Sequence, residues 1–156
     1  MVEKTNAVRK LDTLKAKYAL HSYEGVVSGV DVAAVMGQDV SRVFKTLVTV
    51  GKSGGHYVFM IPVAEELDLK KAASLVREKS VEMLKSKDLL PLTGYIHGGC
   101  SPIGMKKVFP TVVHETAREL EVIFFSAGKI GLQIETSPAV LEKAVKFTYG
   151  DLIVAR

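Results

Sequence analysis

The chain has 156 residues, enough for a sizeable core, and its 47% apolar and 24% charged residues exclude a disordered or fibrous protein. Apolar runs such as Val58–Ile61 and Val122–Phe125 are strand-sized and far short of a bilayer. One cysteine and four scattered histidines exclude a disulfide framework and offer no metal-ligand spacing, and a net charge of +4 permits contact with phosphate without requiring it.

The opening Met1-Val2-Glu3-Lys4-Thr5-Asn6 has no apolar stretch behind it, which predicts no export signal and a cytoplasmic protein. Val8, Leu11, Leu14 and Tyr18 recur at helical spacing over residues 6–18, with Asn6 as a cap. A short strand over 20–23, a glycine loop over 25–29 and a short helix over 30–36 follow. Two β-rich runs, Val43–Val50 and His56–Ile61, flank Gly51-Lys52-Ser53-Gly54-Gly55 and predict a hairpin closed by Pro62. Asp68 caps a helix predicted to reach Arg77, with Leu69, Ala72, Ala73 and Val76 as its buried stripe. A strand over 80–83 and a helix over 86–90 come next. Strands are expected at Thr111–His114, Val122–Phe125 and Gly131–Glu135. A final helix, capped by Thr136 or Ser137 with Pro138 in its first turn, runs to about Lys146, and a last strand lies within 147–154. Strands at the centre with helices between them predict a mixed α/β class over a single domain, residues 1–156.

Thr93–Lys107 gathers Gly94, Gly98, Gly99, Gly104, Pro102, Cys100 and the pair Lys106-Lys107. Clustered glycines suit either close backbone approach or a breaker-rich surface turn. Successive N–H groups around Gly98–Ser101 could converge as an anion or oxyanion nest. His97 and Cys100 form a conceivable base–nucleophile pair, against which stands a buried, inert cysteine. Gly51-Lys52-Ser53 is not a P-loop: Thr46 stands where the first glycine belongs, and a strand follows rather than a helix. Lys45 lies on the same strand face as Val43 and Leu47. There it snorkels, pairs, serves a ligand, or blunts an edge strand. Gln133 alternates with Leu132 and Ile134, so it shares the opposite face with Gly131 and Glu135.

Phe44-Lys45-Thr46-Leu47-Val48, Gly94-Tyr95, Gly98-Gly99-Cys100-Ser101-Pro102-Ile103-Gly104, Lys106-Lys107, Ser126-Ala127-Gly128-Lys129 and Gly131-Leu132-Gln133-Ile134-Glu135, in that order, resemble the YbaK/EbsC family. So do His21-Ser22-Tyr23-Glu24 and Ala64–Lys71, and the likeness extends along nearly the whole chain. The family comprises free-standing relatives of the editing domain of bacterial prolyl-tRNA synthetases. The resemblance implies a compact α/β domain with a mixed, barrel-like sheet flanked by helices. It also implies an aminoacyl-tRNA deacylase that clears cysteine from proline tRNA through the substrate's own thiol. The alternatives are an alanyl-tRNA deacylase on the same fold and a non-catalytic module that binds tRNA or the synthetase. It further implies catalytic roles for Lys45, Gly99 and Ser101, and substrate binding by Tyr23, Thr46, Gly98, Ser126 and Gln133. No cofactor, metal or membrane is implied; the implied partners are aminoacylated proline tRNA and prolyl-tRNA synthetase. Two positions depart from the family pattern. Gln133 stands where an acidic residue is common, and Ser28 falls near a family aromatic, so the expected grip on the acyl group differs here.

Overall fold

The computed structural model describes residues 4–156; the expectation drawn from Met1–Glu3 lies outside them. The elements run α1 (Asn6–Thr13), β1 (Ala19–Ser22), α2 (Gly29–Val35), β2 (Phe44–Gly51), β3 (His56–Pro62), α3 (Leu69–Leu75), β4 (Val81–Met83), α4 (Ser86–Thr93), β5 (Thr111–His114), β6 (Ile123–Lys129), β7 (Leu132–Thr136), α5 (Pro138–Ala144) and β8 (Phe147–Gly150). Short 3-10 turns at Val40–Arg42 and Glu115–Glu119 have too few residues for a readable period, and the sequence did not predict them.

Helix boundaries follow their caps. Thr5, not Asn6, caps α1: its Oγ1 accepts from the Val8 N–H and donates to the Ala127 carbonyl, so the cap is also a tertiary contact. Leu14 ends this helix and Lys15 takes a left-handed φ of 54°, which leaves Tyr18 beyond it. Asp68 caps α3 by accepting from the N–H groups of Lys70 and Lys71. That helix stops at Leu75, short of Arg77, whose φ is 61°. Helix α4 runs past Pro91, where the sequence predicted a stop at Leu90. The carbonyls near its end are recaptured: Thr93 Oγ1 donates to the Leu89 carbonyl at 2.8 Å and the Gly94 N–H to that of Leu90 at 2.9 Å.

The strands form two sheets, ordered β1-β7-β6 and β4-β2-β3-β5-β8. The first is antiparallel; the second is mixed, with β5 parallel to both β3 and β8. One parallel bridge, Val43 to Phe124, joins them. The expected mixed sheet with flanking helices is therefore carried by two sheets meeting at a seam. Strand β3 is buried along Val58–Pro62 because both its faces are covered. Met60 and Val113 pack with Val8 and Leu11 of α1 and Phe125 and Ile134 of the small sheet. Phe59, Ile61 and Val112 face the other way onto Ala72 and Ala73 of α3 and Leu152.

The seam has a consequence for β2. Among the described residues, strand β4 pairs only with Thr49–Gly51 at the far end of β2, and the one bridge from β6 is to Val43, the residue before β2. Between these points, among the described residues, the outer edge of Phe44–Leu47 has no hydrogen-bonded strand beside it, and a cleft opens there.

Candidate functional site

A cleft of about 520 Å³ lies along that open edge. Its floor is Val43 and Phe44–Val48 of β2; Ser126 of β6 and Gln133 of β7 form one wall, with Tyr23 just past β1. Val27, Gly29 and Val32 come from the α2 region, while Met83, Leu84, Ser86 and Leu89 come from β4 and α4. His97, Gly98 and Cys100 of the glycine-rich loop complete the lining. Cross-strand register explains the polar wall. Gln133 pairs with Ser126 on one side and His21 on the other, and directly opposed residues share a sheet face. Leu132 and Ile134 point the other way into the core.

Lys45 is half-buried and, among the described residues, makes no salt bridge or hydrogen bond. Burial pushes its ammonium below the ordinary lysine range, and the carboxylates of Glu66 and Glu65 only partly offset that. An unpaired, partly desolvated cation attracts an anion from outside. Two oxygens in the same cleft are also buried without partners: Thr46 Oγ1 and Gln133 Oε1. Native proteins rarely leave such groups unsatisfied, so each calls for a partner, whether an ordered water or a ligand atom. Ser126 Oγ accepts from the Gly128 N–H at 3.1 Å and keeps its own proton to donate.

Of the eight residues singled out in the sequence, Tyr23, Lys45, Thr46, Gly98, Ser126 and Gln133 line one cleft. Gly99 and Ser101 do not. The Gly99 N–H donates to the Ile96 carbonyl at 3.0 Å, so it is spent inside the loop. Its missing side chain has a different use: a Cβ there would sit 2.9 Å from the Ile130 nitrogen and 3.0 Å from the Lys129 carbonyl carbon. Gly99 lets the loop lie directly on the β6–β7 turn. Ser101 is fully buried and its Oγ accepts from the Ile103 N–H, which shapes the loop interior. Within Gly98–Ser101, Gly98 and Cys100 are the residues that line the cleft. Among the described residues neither N–H has a main-chain acceptor.

Cys100 is not an activated nucleophile: burial drives its thiol up to about 12, so it stays protonated at neutral pH. His97 is exposed and gives it no hydrogen bond. Lys52 and Ser53 belong to the hairpin turn, where Glu78 binds the Ser53 N–H and hydroxyl and the Tyr57 hydroxyl, a structural clasp. Among the described residues no group of three or more His, Cys, Asp or Glu side chains gathers as metal ligands, and no helix is long and apolar enough to cross a membrane. No sequence signal marked the apolar walls from Val27, Val32, Val63, Met83 and Leu89, since their spacing is that of ordinary core.

Comparison with known proteins agrees with this picture. The aminoacyl-tRNA editing domain family matches residues 24–144. A protein of Enterococcus faecalis provisionally named Cys-tRNA(Pro)/Cys-tRNA(Cys) deacylase EbsC is 49% identical over 142 residues, covering 89% of this chain and 87% of that protein. Among solved structures, a provisionally assigned trans-editing enzyme for prolyl tRNA synthetase matches with a TM-score of 0.85 at 22% identity, over 99% of this chain and 100% of the other. A hypothetical protein matches with a TM-score of 0.87 at 21% identity, over 95% and 99% of the respective chains. At those identities the two structures speak for the fold alone. The extent of the family match and the identity to the Enterococcus protein together show that this chain belongs to the aminoacyl-tRNA editing domain family.

Proposed function

We propose that this chain is an aminoacyl-tRNA deacylase that releases cysteine mischarged on proline tRNA. One observation carries the reading. Among the described residues, a half-buried, unpaired Lys45 shares a cleft with the Ser126 hydroxyl and the unpartnered oxygen of Gln133, and the cleft contains no activated protein nucleophile.

An aminoacyl ester is already activated, so the protein has to orient it and stabilise charge. Lys45 holds the phosphate–ribose end of the tRNA, and the N–H groups of Gly98 and Cys100 face the carbonyl oxygen as it gains charge. Each such donor is worth roughly 3 kcal/mol. The substrate supplies the nucleophile. Its thiol sulfur bonds to its own carbonyl carbon, the ester C–O bond breaks, and the thiol proton passes to the departing ribose oxygen. A cyclic thioester leaves, which water then opens. Holding thiol and carbonyl together replaces a protein nucleophile by effective molarity. Prolyl-tRNA synthetase, the source of such a mischarged tRNA, is the partner this reading implies, and its addition is expected to speed release.

The test is competition between cysteinyl- and alanyl-charged proline tRNA. Cysteine is expected to leave faster by at least tenfold. Equal or faster alanine release contradicts the thiol route, and stable tRNA binding without turnover contradicts catalysis.

A further inference from the structure

Among the described residues no Asp or Glu side chain lines the cleft, and its one fixed charge is Lys45. The nearest carboxylates are engaged or outside. Glu65 and Glu66 act on Lys45 from beyond the lining, and Glu135, two residues along the same face from Gln133, is held by His21 Nε2 at 2.6 Å. With Lys45 engaged by the phosphate–ribose end of the tRNA, a substrate ammonium in this cleft meets no carboxylate partner among the described residues. What the wall does offer is Gln133 Oε1, on a side chain 6% exposed, with no partner among the described residues. A carboxamide oxygen accepts a hydrogen bond from any neutral donor and does not require a positive one.

We infer that Gln133 makes this cleft indifferent to the charge of the acyl group's α-substituent. Its substrates are thiol-bearing acyl esters of tRNA carrying any α-hydrogen-bond donor, a hydroxyl or an acylated amine as well as a free amine. The inference rests on the deacylase reading and names its substrate class. A neutral hydrogen bond shared by all these groups leaves little to separate them, whereas a buried charge pair would separate them by two orders of magnitude or more.

The experiment compares tRNA esterified with cysteine and with 3-mercaptolactate, which keeps the thiol and replaces the amine by a hydroxyl. At pH 6 the amine is charged, about two pH units below the ordinary α-amino range. The wild-type protein is expected to release the two within about threefold of each other. Gln133→Glu, which adds a counter-ion, is expected to favour cysteine by at least tenfold. Wild-type preference for cysteine of about 100-fold overturns the inference and leaves the deacylase reading intact. An unchanged ratio in a folded Gln133→Glu protein also overturns it. Release of neither ester overturns both readings. The wild-type comparison stands even where the variant fails to fold.

Discussion

Replacing Lys45 by methionine should move activity and stability in opposite directions. The methionine keeps the unbranched stem and removes only the charge. On the activity side, Lys45 is, among the described residues, the one cation lining the cleft, and losing its charged contact to the phosphate–ribose end of the tRNA costs about 3–4 kcal/mol in kcat/KM, or roughly 100- to 1000-fold. On the stability side, the ammonium is half-buried, its proton affinity is lowered by burial with only partial offset from Glu66 and Glu65, and no salt bridge compensates among the described residues. Removing that penalty, discounted for the half of the side chain still touching water, gains about 0.5–1 kcal/mol. For a chain of this length that is a rise in Tm of roughly 2–4 °C at most. Single-turnover release of labelled cysteine gives the first number and thermal melting the second. A variant as fast as wild type, or one that is slow because it melts lower, refutes the reasoning.

Gly99→Ala should lower Tm by several degrees, from roughly 1–3 kcal/mol of overpacking, because its Cβ would meet the main chain of Lys129 and Ile130, which cannot swing aside. Cys100→Ala should retain deacylation within about threefold, and iodoacetamide should not inactivate the wild type, since the thiol is buried and held protonated. Stability should also depend on His114, whose Nδ1 accepts from the Leu152 N–H at 3.1 Å while burial holds its pKa below the ordinary histidine value against the pull of Asp151, Glu115 and Glu65. Because the folded value is the lower one, this contribution is complete above about pH 6.5 and is lost as pH falls through the folded value. Melting curves from pH 7.5 downward should fall more steeply for wild type than for His114→Asn, which keeps an oxygen to accept the same N–H.

The hairpin of β2 and β3 was legible because β-branched runs flank a glycine loop, and strand alternation correctly separated Gln133 from Leu132 and Ile134. Lys45 stood out for the same reason: a cation on an apolar period-2 face. The glycine-rich loop was located but partly misread. Composition reveals where a chain can bend or approach closely, and it cannot say which N–H groups remain free; the Ile96 carbonyl takes that of Gly99. Thr5 was passed over as a cap because half of its bonding is to Ala127, more than a hundred residues away in sequence. The gap between the two sheets, which makes the cleft, depends on where β4 and β6 stop touching β2. No local pattern encodes that meeting point.

The thiol route is tested most directly by changing one substrate atom. With cysteine and serine esterified to the same proline tRNA, the ratio of single-turnover release rates compares a sulfur nucleophile with an oxygen of nearly the same shape. The account predicts a ratio of at least about 100 in favour of cysteine, because a hydroxyl is far less ionised and less nucleophilic than a thiol. Equal rates for the two esters would mean that water or a protein group attacks, and would contradict it.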